Sequence, residues 1–220
     1  MRERGEEYFS THDLGRPLDP TVLAAEAKLR TSSALARSVS GFARAGVAEP
    51  ADAPRACAWP ILLGIDPGTR VVGYGAIVAA ARGPRLLAAG VLRTEKKSSV
   101  PQRLGWIQAE IERLLAALHP TIVVVEQAFA ARNVQSALRI GEGRGVVLAC
   151  AATFGAEVVQ YAPAVAKKAL LGNGAADKTQ VAKMVAGILN AERLDVPLDA
   201  SDALALALAH WQRSRFLARR

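Results

Sequence analysis

At 220 residues, with hydrophobic side chains making up 51%, the chain is long enough to bury one complete α/β core and carry an appendage. Its formal charge of +8 lies wholly beyond residue 58: the first 58 residues hold eight Lys/Arg and eight Asp/Glu, while residues 59–220 hold 20 against 12. Cys57 and Cys150 are the only cysteines and have no CxxC spacing, which excludes a zinc knuckle or disulfide framework, and no apolar run approaches the roughly 20 residues of a membrane span.

A basic domain whose acids cluster in a few motifs is suited to a polyanion held by lysines and arginines beside a cation. A soluble enzyme with an ordinary basic surface would have the same totals. The N-terminus lacks a hydrophobic block and is too acidic for a transit peptide, so the cytoplasm is the expected compartment.

Residues 1–58 read as an N-terminal extension, disordered or weakly helical. Leu35, Val39 and Phe42 fall on one helical face, but Gly41, Gly46, Pro50 and Pro54 break the pattern. The folded domain is expected over 59–220. Ile61–Asp66 is a short apolar strand followed by a Pro67-Gly68 turn, and Val71–Val78 and Arg85–Arg93 complete an antiparallel meander. From Pro101 to Leu118, the residues Leu104, Ile107, Ile111, Leu114, Leu115 and Leu118 recur at helical spacing until His119-Pro120 stops them. The β-branched run Thr121–Glu126 has the pattern of a central parallel strand.

A helix is expected over Val134–Thr153. It carries Gly141, Gly143 and Gly145, each costing about 1 kcal/mol relative to alanine, so close packing on another helix or a subunit interface is expected there. Glu157–Tyr161 is a strand, two short helices flank Gly172-Asn173-Gly174, and a last helix runs from about Asp199 to Arg213. This order predicts an α/β, ribonuclease-H-like fold: a mixed five-stranded sheet with helices on both faces.

Four carboxylates stand out. Asp66 and Glu126 end strands that read as buried, where an unpaired charge is expensive. If those strands are neighbours, the two acids converge. Asp199 and Asp202, at i and i+3, project from one side of a helix start. Taken singly, Asp66 is an ordinary turn residue before Pro-Gly, and Asp199 with Asp202 is an N-cap with a dipole-favoured acid. Taken together they suit magnesium, which takes oxygen ligands, and two such ions can drive phosphodiester hydrolysis.

The motifs carry a family resemblance. ILLGIDPGTRVVGYG at 61–75, VEQAFAARNVQSALRIGEGRG at 125–145, Tyr161-Ala162-Pro163 with Lys167 and GNGAADK at 172–178, and DASDALA at 199–205 occur in the order of the RuvC Holliday-junction resolvases, which the chain resembles over about residues 60–213. The resemblance implies a homodimer that nicks two opposed strands of a four-way DNA junction symmetrically, in recombination and repair. It implies Asp66, Glu126, Asp199 and Asp202 as catalytic acids holding Mg2+, two ions per site, with Mn2+ as a substitute. Lys167 and Lys178 match lysines near the scissile phosphate, and Phe129 matches an aromatic that stacks on an unpaired base. Arg132 and Lys168, with Lys183, Arg139 and Arg144, are expected along the DNA backbone. RuvA and RuvB are the partners the resemblance implies, with no membrane. The alternatives are a nuclease of the same fold acting on structured RNA (YqgF-like), an actin-like ATPase suggested by the loop at Asp66–Thr69, and a non-cleaving junction binder.

Overall fold

The computed structural model of the protein describes residues 59–127, 134–191 and 194–217. The expectations for residues 1–58, Phe129 and Arg132 lie outside them. Strands β1 (Ile61–Asp66), β2 (Val71–Ala80), β3 (Gly83–Arg93), β4 (Ile122–Glu126) and β5 (Glu157–Tyr161) form one sheet in the order β3-β2-β1-β4-β5. The first three make the expected meander, with β1–β2 and β2–β3 antiparallel, while β4 runs parallel to both β1 and β5. Helices α1 (Val100–Leu118), α2 (Val134–Phe154), α3 (Pro163–Leu171), α4 (Lys178–Ile188) and α5 (Leu198–Leu217) fill the remaining positions.

Strand alternation divides the core between the two faces. Ile61, Leu63 and Ile65 of β1 and Val123 and Val125 of β4 meet Ile107, Ile111, Leu115 and Val147 of α1 and α2. On the other face, Leu62, Ile77 and Val124 meet Leu170, Val181, Val185, Leu204 and Leu208 of α3, α4 and α5. The expected helices on both faces are therefore present.

Local signals end the elements where the chemistry requires. His119 adopts the left-handed conformation (φ 47°), and its N–H donates to the Leu115 carbonyl at 2.9 Å, closing α1 before Pro120. Asp177 caps α4: its carboxylate accepts from the Gln180 N–H at 2.8 Å, and its own N–H donates to Gln180 Oε1 at 3.0 Å. That reciprocal box fixes where Lys178 begins the helix.

The run of alanine and leucine in α5 is buried from Ala203 through Ala209, because this helix lies between the sheet and the α3–α4 pair. It lies very close to the sheet. A methyl group on Gly64, in the middle of β1, would stand 1.9 Å from the Ala203 carbonyl oxygen. Gly64→Ala is expected to lift α5 and cost about 3 kcal/mol or more. Gly105→Ala, on the exposed side of α1 where nothing lies within 4 Å, is expected to add about 1 kcal/mol. Urea unfolding of the two variants beside the parent checks both signs.

Candidate active site

Register and alternation bring the first two acids together. Leu62 pairs with Ile122 and Gly64 with Val124, and the ladder ends at Ile65 and Val125, so Asp66 and Glu126 follow as adjacent strand ends. Both lie in alternation with Leu62 and Val124 and therefore face α5. Their side chains are hydrogen-bonded to each other.

The other two acids arrive from above the same face. Asp66 pairs with Gly73 across the β1–β2 hairpin, and a methyl on Gly73 would lie 2.1 Å from the Asp199 carbonyl oxygen. The absent side chain lets the first turn of α5 sit directly over the end of β1. One carboxylate oxygen each from Asp66, Asp199 and Asp202 then lies within 4.8 Å of the others. Among the described residues this trio is the one group of acids, histidines or cysteines so disposed. Glu126 is not a member of it and joins through its bond to Asp66.

Such crowding shifts the protons. Burial first, and then the charge of Asp202, raise the Asp66 carboxyl above the usual carboxylate range. Burial, reinforced by Asp66 beside it, raises Glu126 to about 7. Two carboxyl groups this close share their hydrogen bond only while one of them keeps a proton.

Lys178 answers part of this charge. Its Nζ lies 2.6 Å from Asp202 Oδ2, and that bond raises the ammonium pKa further. Lys167 is placed differently from Lys178. Its Nζ donates to the Ala176 carbonyl at 2.7 Å, bracing the loop that leads into α4. Lys168 and Lys183 are exposed on α3 and α4. Arg139 pairs with Glu142 at 3.2 Å on the outer surface of α2.

Two features escaped the sequence reading. Arg144 faces the sheet, its Nε donating to the Glu126 main-chain carbonyl at 3.2 Å and its outer nitrogen to the Gln160 side-chain oxygen. Of the three glycines in α2, Gly143 packs against the turn after β1, where a methyl would stand 3.0 Å from the Gly68 carbonyl oxygen, while Gly141 and Gly145 have nothing within 4 Å. The close packing expected against a helix is thus against a loop. Tyr161, from the third motif, hydrogen-bonds His210 Nδ1 through its hydroxyl at 3.0 Å.

With this geometry in hand, the comparisons with known proteins are specific. The family model described as crossover junction endodeoxyribonuclease RuvC matches residues 62–210. The crossover junction endodeoxyribonuclease RuvC of Chromohalobacter salexigens is 45% identical over 151 residues, covering 68% of this chain and 80% of that protein. Its counterpart from Heliobacterium modesticaldum is 43% identical over 148 residues, covering 67% and 91%. The Thermus thermophilus RuvC structure superposes with a TM-score of 0.66 at 35% identity, covering 71% of this chain and 96% of that one. The same protein in complex with a Holliday junction substrate gives 0.64 at 34%, again covering 71% and 96%. The yeast mitochondrial Holliday junction resolvase Ydc2, at 15% identity and a TM-score of 0.53, shares the fold. A ribonuclease-H-like sheet with three aspartates gathered at the end of its first strand, matched by that model over most of its length, places this chain in the RuvC family of crossover junction endodeoxyribonucleases.

Proposed function

We infer that this chain resolves four-way DNA junctions in recombination and repair, hydrolysing phosphodiester bonds at a divalent-metal site. The observation that carries the reading is the gathering of Asp66, Asp199 and Asp202 oxygens within 4.8 Å, an all-oxygen donor set suited to a hard cation. The raised carboxyl groups of Asp66 and Glu126 fit the same conclusion, since excess negative charge there needs a partner. A bound divalent ion supplies an activated water and offsets charge on the leaving oxygen.

Asp66, Asp199 and Asp202 would hold the ion, with Glu126 completing the set once it has lost its proton. Mg2+ is the ion this reading favours, two per site, with Mn2+ as a substitute. Lys178, already beside Asp202, is placed to hold a phosphate oxygen at the acids. Lys167 contributes by fixing the loop that positions α4, and its bond to Ala176 supports that indirect role. Lys168 and Arg132 follow the DNA backbone. Phe129 stacks on a base at the opened junction centre, a contact worth about 1–3 kcal/mol. RuvA and RuvB supply the branch-migrating partners.

The active species is a homodimer, because symmetric nicks need two sites. Val134 and Leu138 on the outer side of α2 are 75% and 62% exposed, and they support this helix as the contact between copies. Leu138→Asp is expected to move the protein from dimer to monomer in analytical ultracentrifugation.

Asp66→Asn keeps the shape and removes the charge. On a synthetic four-way junction it is expected to abolish cleavage with Mg2+ while leaving the junction Kd within about twofold, the range of a surface-neutral change. Linear duplex and structured RNA serve as the competing substrates, and preferential cleavage of the RNA would favour the YqgF-like alternative.

The proton shifts give a stability test. Without metal, the unfolded chain ionises its glutamates near 4.5, whereas folded Glu126 keeps its proton to about 7. Ionisation therefore favours the unfolded chain, and stability falls as pH rises between those values. The expected result in EDTA is a Tm that declines across that window, recovers on adding Mg2+ at pH 8, and declines less in Glu126→Gln. Identical profiles for parent and variant would remove Glu126 from the charged cluster.

A further inference from the structure

Glu126 stands where the pairing of its strand with β1 runs out. On one side β4 still pairs with β5, with Val125 opposite Gln160 and Glu126 opposite Tyr161. On the other side the ladder with β1 ends one residue earlier, at Ile65 and Val125. The carboxylate nevertheless meets Asp66 closely enough to share a hydrogen bond. Just past it the Gln127 N–H donates to the Tyr161 carbonyl at 2.7 Å, and a further contact can brace the same strand end.

Arg144 is placed to do so. Its guanidinium bonds the Glu126 main-chain carbonyl at 3.2 Å and the Gln160 side-chain oxygen, bridging the ends of β4 and β5. The planar guanidinium presents its donors in a fixed fork, so two simultaneous bonds leave little freedom for either strand end. The preceding residue, Gly143, lies against the Gly68 carbonyl, two residues beyond Asp66, where a methyl would stand 3.0 Å from that oxygen, a tight contact. Consecutive residues of α2 thus touch the chain just after Asp66 and the carbonyl of Glu126.

We propose that Arg144 is a positioning residue of the reaction, fixing the Glu126 carboxylate relative to Asp66 through the main chain and so setting the affinity of the acid site for a divalent cation. The inference rests on the reading of Glu126 as part of that site. Arg144 would act without touching DNA, unlike a backbone-tracking arginine.

The test uses Mn2+ binding to the full-length dimer by isothermal titration calorimetry, with junction affinity measured in EDTA. Arg144→Gln and Arg144→Lys, which lose the fork, are expected to weaken Mn2+ binding roughly 10-fold to 100-fold, the range for residues that orient metal ligands. Junction Kd in EDTA should stay at the parent value, and the loss in kcat should be partly rescued by raised Mn2+. Gln160→Leu alters an exposed residue that the core does not need. It is expected to shift Mn2+ affinity in the same direction by less, which guards against misfolding of the arginine variants. Parent-like Mn2+ affinity in the Arg144 and Gln160 variants, alongside weakened binding in Glu126→Gln, overturns the inference. A raised junction Kd with unchanged Mn2+ affinity does so too, and would assign Arg144 to DNA. Parent-like Mn2+ affinity in Glu126→Gln overturns instead the acid-site reading beneath it.

Discussion

The chemistry of this molecule depends on how closely the first turn of α5 approaches the β1–β2 hairpin. A helix resting on a sheet through ordinary side chains keeps its axis about 10 Å from the strands. Here the Asp199 carbonyl stands 2.1 Å from where a Gly73 methyl would be, and the Ala203 carbonyl 1.9 Å from that of Gly64. With Gly75, where a methyl would meet the Leu204 main-chain nitrogen at 2.7 Å, three glycines on the two strands remove the layer of side chains that would separate helix from sheet. Asp199 and Asp202 can then share a site with Asp66, whose own position follows from β1 register. Four short carboxylates do not reach across a conventional helix–sheet gap, so the close packing is a condition for the site.

That approach brings like charges together. The N-terminal end of α5 favours negative charge through the helix dipole, which offsets part of the repulsion between Asp199 and Asp202. Lys178 offsets more, and its place is set by the Asp177–Gln180 capping box and by Lys167 bracing the preceding loop. Burial, and after it the charge of Asp66, outweighs the help Lys178 gives Glu126, so that carboxyl retains a proton to about 7. The metal-free fold thus accommodates the acids by protonating one of them. The same proton must leave before a cation can take its place, so cation affinity and pH are linked at this residue.

The sheet and the acids were largely legible in the sequence because their signals are local. Ile61–Asp66 and the β-branched run ending at Glu126 announce buried strands, and the regular spacing from Ile107 to Leu118 announces α1. The long-range geometry was not so readable. Nothing in the sequence near Lys167 says that its ammonium turns to the Ala176 carbonyl, since the partner is a backbone atom and carries no residue signature. The partners of Arg144 were unreadable for the same reason: its acceptors are a main-chain carbonyl and a glutamine from another strand. The glycines of α2 look alike in sequence, yet only Gly143 meets the β1 turn, because helical periodicity turns Gly141 and Gly145 outward. Strand ends and helix spacing supplied the grouping of four acids, and the structure refines it to three gathered oxygens with Glu126 one hydrogen bond away.

The placement of α2 bears on how the two layers cooperate. The acid side chains all point to the α5 side of the sheet, whereas α2 packs on the opposite face through Val147, Cys150 and Ala151. Side chains on one face cannot touch those on the other through a closed sheet. Contact becomes available only where strands end, and Gly143 and Arg144 meet the chain at such ends. The α2 layer therefore meets the acid-bearing strand ends at their main chain. The same helix turns Val134 and Leu138 outward. A force applied to that outer side, by a second copy or by DNA, would move a rigid helix whose inner side is bonded to the Glu126 carbonyl. The exposed Val134 and Leu138 and the arginine that bonds the Glu126 carbonyl thus belong to one helix, on its outer and inner sides.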